Sequence, residues 1–181
     1  MKLQKLAVMS VLVALSAVLT LLIKIPFPTA PFLIYEPGDV PILIGGLLFG
    51  PLAAMGMTVA ISILLGLFVA NLNPVFGVIM HIIATGILSV VAASIYKGTI
   101  KSARRGLVLG ATAMTIVMPL LNVWLNPIFY GMPRDAVLKL LVPAIIPFNF
   151  LKSFINILFT ALIFPRILTW YKRNIPESFK D

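Results

Sequence analysis

The sequence predicts an all-α membrane protein, a compact bundle of six transmembrane helices with both termini cytoplasmic. Three observations carry that expectation. The 181 residues are 61% hydrophobic and 10% charged, with a mean hydropathy of +1.12, so long apolar runs read as membrane spans. The runs 6–23, 74–96, 107–125 and 145–171 can each cross about 30 Å of hydrocarbon at ~1.5 Å per residue. The stretch 40–69 would make a single helix of about 45 Å, too long for one ordinary span, and Gly50-Pro51 divides it into 40–49 and 52–69. Six spans place Lys2, Lys5, Lys97, Lys101, Arg104, Arg105, Arg166, Lys172, Arg173 and Lys180 on the cytoplasmic side. Only Lys24, Arg134 and Lys139 then lie outside, as the positive-inside tendency requires. The chain 1–181 thus has room for one transmembrane domain and none for a soluble catalytic one. Cys is absent, which excludes disulfides and thiol chemistry. The net charge of +9 follows the cytoplasmic loops and gives no reason to expect nucleic acid.

The first span carries Ala7, Ser10, Ala14 and Ala17 within about 80° of helical arc, a small-residue stripe along which another helix can approach closely. The stripe serves either this protein's own helices or a partner subunit. A cleaved signal peptide is the competing reading, but the apolar run continues to Ile23 without a clear cleavage site, so the helix is expected to be retained. Beyond it, Pro26, Pro28 and Pro31 forbid helix and predict a defined outer loop. Asp39, with Pro41 close behind, reads as the start of the second helix, its carboxylate capping free amides of the first turn. Tyr35 and Glu36 just before it are candidates for a lid. A second proline-bearing outer loop is expected from 126 to 143, with Tyr130 in it, and the two loops together would cover one cavity.

In the last span, Lys152 interrupts an otherwise apolar run. An ionisable group at membrane depth costs at least about 2.5–3.5 kcal/mol on insertion scales and therefore faces a bundle interior or a water-filled cavity. Asn149, Lys152 and Asn156 project at about 0°, 300° and 340° around the helix, one polar stripe over two turns. The stripe reads as half of a binding site. The alternative is an architectural role, with Lys152 snorkelling or paired inside the protein.

At these residues the chain resembles the riboflavin-specific substrate-binding (S) components of energy-coupling-factor vitamin transporters, the RibU type, over nearly its whole length. The marks are Asp39-Val40-Pro41, Phe49-Gly50-Pro51, Asn73-Pro74-Val75, Leu121-Asn122, Tyr130-Gly131-Met132 and, above all, Ile146-Pro147-Phe148-Asn149-Phe150-Leu151-Lys152. The resemblance implies a six-helix protein that captures riboflavin from outside, in a pocket between the outer halves of its helices closed by the first loop. Asn149 and Lys152 match family positions, Asn122 adds a contact from the fifth helix, and Tyr35, Tyr130 and His81 complete the expected riboflavin-binding set. It also implies a transmembrane coupling (T) subunit and two cytosolic ATPases as partners, docked through small residues on the first helix. Here Ser10-x-x-x-Ala14 is the closest match to the family's Ala-x-x-x-Ala.

No Gly-x-x-x-x-Gly-Lys-Ser/Thr phosphate loop is present, so ATP hydrolysis is expected on those partners, and no cofactor beyond the transported ligand is expected. Three rival readings stand beside this one. An intramembrane hydrolase would pair the lone His81 with Ser62 or Ser89, without a nucleophile-elbow motif to support it. A channel or secondary transporter would use Lys152 for ion recognition, without an internal repeat. An S component for a different vitamin would differ only in a few pocket contacts.

Overall fold

The computed structural model describes residues 2–68 and 73–174. Val69, the end of the third predicted span, and Lys180 lie outside the described residues. Helix α1 (Lys2–Leu22) leads into an antiparallel ribbon of β1 (Ile25–Phe27) and β2 (Ala30–Tyr35). The helices α2 (Asp39–Phe49), α3 (Pro51–Phe68), α4 (Pro74–Ile95) and α5 (Ile100–Tyr130) follow, then α6 (Arg134–Leu140), a π-helical turn (Leu141–Ile145) and α7 (Ile146–Asn174). Among the described residues, five helical segments are long and apolar enough to cross a membrane, and α2 is a shorter apolar helix.

The proline-rich outer segment is a ribbon rather than an irregular loop, with Ile25 opposite Tyr35 and Pro26 opposite Ile34. A two-stranded ribbon has two edges, so prolines that lack a ladder donor are tolerated. The expected second outer loop, 126–143, is replaced by helix. Pro127 sits inside α5, which runs on to Tyr130, and Gly131 in the left-handed conformation (φ 63°) stops it. Proline inside a membrane helix removes one hydrogen bond without ending the helix. Only 131–133 separate α5 from α6. At the other end, α5 begins seven residues before the predicted 107–125 span. Thr99 and Ser102 form a reciprocal capping box there, and Lys101, Arg104 and Arg105 occupy the first turns.

The core lies where α2, α4, α5 and α7 meet, around Leu43, Leu47, Leu88, Leu107, Met114 and Phe164. Close packing of α4 on α5 rests on two glycines. A β-carbon at Gly106 or Gly110 would come within 2.5 Å of the Ala92 or Leu88 carbonyl oxygen. Helix α1 packs against α2 and α3 through Met9, Leu12, Val13 and Ala17, around Ile42, Met57 and Ile61. Its Ala7, Ser10 and Ala14 remain exposed. At the cytoplasmic end, Phe49 stacks edge-on with Tyr171 at 5.8 Å, and the Lys5 ammonium lies 5.7 Å from the Phe49 ring centre.

Helix α2 is short for a reason visible at its start. Ser16 of α1 donates to the Gly38 carbonyl at 2.6 Å, and a side chain at Gly38 would collide with Thr20. The chain therefore enters α2 pressed against the last two turns of α1, just below the ribbon. The space above that entry belongs to the ribbon and a cavity.

Candidate functional site

A cavity of about 670 Å³ lies under the ribbon. Phe32, Leu33, Ile34 and Glu36 form its cover, Met80, Met114, Met118 and Phe148 supply apolar wall, and Asn122, Asn126, Asn149, Lys152 and His81 supply polar wall. That volume falls in the range of small-molecule sites, roughly 300–1,000 Å³, and the composition, mostly apolar with a few convergent polar groups, is theirs as well.

The amides are held by their own helices. Asn149 Nδ2 donates to the Ile145 carbonyl at 2.8 Å, Asn122 Nδ2 to the Met118 carbonyl at 2.8 Å, and Asn126 Nδ2 to Asn122 Oδ1 at 3.1 Å. Each bond uses one of two amide hydrogens and fixes the rotamer, which leaves further donor and acceptor capacity for a ligand. Asn73 caps α4 by accepting from the Phe76 amide at 3.1 Å and donates to the Phe129 carbonyl at 3.1 Å, fastening α4 to the end of α5. Tyr130 lines the cavity, with its ring 4.8 Å from Phe76 in a T-shaped contact.

Beneath the cavity floor sits a charge centre that the sequence reading missed. Asp39 does not cap α2. The helix is preceded by Gly38, no side chain caps it, and the Asp39 carboxylate is 1% exposed inside the bundle. Its Oδ1 accepts from Thr85 Oγ1 at 2.7 Å and faces His81 Nε2 at 3.2 Å. Its Oδ2 accepts from Asn156 Nδ2 at 2.7 Å and pairs with Lys152 Nζ at 3.4 Å. A carboxylate offers about four lone-pair sites, and all are engaged. The physical reason is the demand of Lys152: a buried ammonium needs a counter-charge, and that need outweighs a cap that Gly38 and water-free packing make unnecessary.

Of the six residues expected to bind ligand, Asn149, Lys152, Asn122, Tyr130 and His81 share the cavity wall. Tyr35 is placed one layer lower, where its hydroxyl donates to Asn156 Oδ1 at 3.1 Å. Burial, aided by the Asp39 charge, pushes the Tyr35 phenol up to about 12, so it stays a donor at any physiological pH. Glu36 does line the cover, and burial raises its carboxyl above the ordinary range against the lowering influence of Lys152 and His81.

Ser62 Oγ lies 2.7 Å from His81 Nδ1, which with Asp39 gives the residue types of a hydrolytic triad. Two of these groups are engaged elsewhere. The Ser62 hydroxyl donates to the Thr58 carbonyl at 2.7 Å, and Asp39 is committed to Lys152 and Asn156. Ser62 and Thr85 thus hold the imidazole from two sides. Ser89 lies apart, donating to the Gly86 carbonyl.

The ribbon is pinned at two further points. Thr29 Oγ1 donates to the Pro143 carbonyl at 3.0 Å, and the Phe27 ring meets Phe148 edge-on at 5.7 Å. Both partners belong to the π-helical turn or the start of α7, so the cover closes onto the helix that carries Asn149 and Lys152. Apolar spans around a covered cavity lined by amides and apolar side chains give a membrane-embedded protein with a site of the size and composition that small molecules occupy.

The chain belongs to the family of ECF transporter substrate-specific components, whose pattern matches residues 4–164. It is a multi-pass protein of the plasma membrane. Similar proteins include the riboflavin transporter FmnP of Bacillus subtilis, 33% identical over 96% of this chain and 97% of the relative. The riboflavin transporter RibU of Staphylococcus aureus is 31% identical over 94% of this chain and 93% of its own length. The solved structure of the S component of a bacterial ECF transporter superposes with a TM-score of 0.81 at 31% identity, covering 95% of this chain and 99% of that one.

Proposed function

We propose that this chain is the riboflavin-capturing subunit of an ATP-driven vitamin importer, binding riboflavin at the extracellular side and passing it on by docking with a membrane coupling subunit served by two cytosolic ATPases. The observation that carries the reading is the covered cavity with Asn122, Asn149 and Lys152 on one wall, in a chain similar along nearly its whole length to riboflavin transporters. Riboflavin has a flat apolar ring system edged by carbonyls and ring nitrogens, and a hydroxylated ribityl chain. Methionine and phenylalanine side chains suit the ring faces, amides suit edges that both donate and accept, and an ammonium supplies donors to carbonyl or hydroxyl oxygens. The role is binding, with no bond broken in the ligand.

The proposed docking face is the exposed stripe of Ala7, Ser10 and Ala14 on α1. Ala17 continues it but is half-buried against this protein's own helices. Only 11% of the α1 span is buried, against 33–44% of the other four long spans, which leaves most of its face available to a partner helix.

Titration of the purified protein with riboflavin, followed by quenching of flavin fluorescence, tests the proposal. Saturable one-to-one quenching without nucleotide or partners is expected. No saturation in a folded sample, or equal affinity for unrelated vitamins, overturns it.

A further inference from the structure

We infer that Asp39, which does not itself line the cavity, is the positioning residue of the site. It holds Lys152 and His81 at the cavity floor and, through Asn156 and Tyr35, fastens the covering ribbon to the same carboxylate. The inference rests on the cavity being the riboflavin site proposed above, and it adds a coupling that ligand contacts alone do not contain. Lys152 and His81 both face the cavity, and both are held from below by Asp39, at 3.4 Å and 3.2 Å. Without that carboxylate a four-carbon stem would let the ammonium swing toward the membrane surface, away from the ligand. Pairing spends one ammonium hydrogen downward and leaves two to point into the cavity.

The same oxygen that faces Lys152 accepts from Asn156, which is fully buried. Asn156 divides its amide: Nδ2 goes to Asp39, and Oδ1 accepts from Tyr35, the last residue of β2. Tyr35 is thus the deepest anchor of the cover, and Thr29 and Phe27 are its shallow anchors on the other side. Lifting the ribbon to admit or release ligand strips the Asn156 carbonyl of its donor where little else can replace it, a cost absent while the cover is shut. Cover closure and ammonium placement therefore share one buried carboxylate. A disturbance at either end reaches the other through two hydrogen bonds and one ion pair.

The test uses the whole chain in detergent, with stopped-flow flavin quenching for rates, equilibrium titration for affinity, and thermal unfolding without ligand as the control for folding. Tyr35→Phe should raise the riboflavin off-rate about five- to tenfold, the size expected for one lost buried hydrogen bond, while the ligand-free protein still unfolds in one cooperative transition, at a somewhat lower midpoint. Asp39→Asn should weaken binding about tenfold or more, and Asp39→Asn with Lys152→Met should lose clearly less than the sum of the two single losses, since the part of Asp39's effect that passes through Lys152 is already gone while the parts through His81 and the ribbon remain. Should Asp39→Asn alone not fold, Thr85→Val removes one donor from the carboxylate without changing charge, and its loss of affinity must likewise be smaller in the Lys152→Met background than in the unaltered protein. An unchanged off-rate in Tyr35→Phe, or additive losses in the paired variants, overturns the inference. Absence of saturable binding by the unaltered protein would instead sink the riboflavin reading itself, so the two failures are distinct.

Discussion

Lys152 and Asn149 face the cavity with capacity that the protein leaves unused, and each should lose affinity when that capacity is removed. Lys152→Ala and Asn149→Ala are expected to weaken riboflavin binding by about 1–3 kcal/mol each, read by fluorescence titration, because a buried ligand acceptor is left without a donor. Wild-type affinity in both would place the ligand elsewhere. Glu36 makes a different prediction. Burial raises its carboxyl, so its ionised form costs the folded protein; that penalty is complete above the raised value and fades as pH falls toward the ordinary carboxyl range. Glu36→Gln should therefore raise the thermal midpoint at neutral pH and converge with the unaltered protein in acid. A difference that grows on acidification would refute it. Lys152 was legible in the sequence because an ammonium in an apolar run has few explanations, whereas Asp39 was not, because Asp before Val-Pro fits a helix start equally well. A signal was nevertheless available. The chain has five acids, Glu36, Asp39, Asp135, Glu177 and Asp181, and only the first two adjoin apolar spans that could meet Lys152.

Hydropathy located the five long apolar helical segments among the described residues, and the short apolar α2, but could not see the elements that shape the site, because those are decided by tertiary contacts. The ribbon has strands of three and six residues interrupted by prolines, too short for an alternating pattern to register. Helix α6 falls inside the stretch 126–143 that reads as a proline-bearing loop, although a π-helical turn absorbs Pro143 and carries the chain straight into α7. Conversely, the break at Gly50-Pro51 was readable, because Gly50 at φ 92° is a conformation other residues avoid and Pro51 suits the first turn of α3. The contact of α4 with α5 shows the same dependence on small residues. Gly110→Val should lower stability by about 1–3 kcal/mol, measured by thermal or denaturant unfolding in detergent, because the added carbons must displace the Leu88 backbone rather than a flexible side-chain end. An unchanged midpoint would show that the two helices separate easily, and the rigid wall that carries Asn122 would lose its support.

Across the whole molecule, the covered cavity and the bare face of α1 belong to different jobs and should separate experimentally. The cavity is lined by the ribbon, α3, α4, α5, α7 and, near the end of α1, Thr20, whereas Ala7, Ser10 and Ala14, earlier along α1, are exposed and form no part of the cavity wall. A bulky side chain at Ala14 therefore leaves the pocket intact while blocking the close approach of a partner helix, which small residues exist to allow. The expected outcome for Ala14→Trp is riboflavin affinity within about twofold of the unaltered protein, as for a distant independent site, with ATP-dependent uptake largely lost in vesicles that also contain the coupling subunit and both ATPases. Unimpaired uptake would move the docking surface elsewhere, and loss of binding as well would mean the stripe packs internally in the assembled state. The unaltered chain alone in vesicles should bind riboflavin and yet accumulate none, since a cover held by hydrogen bonds and a ring contact can retain a ligand but has no source of work to move it uphill.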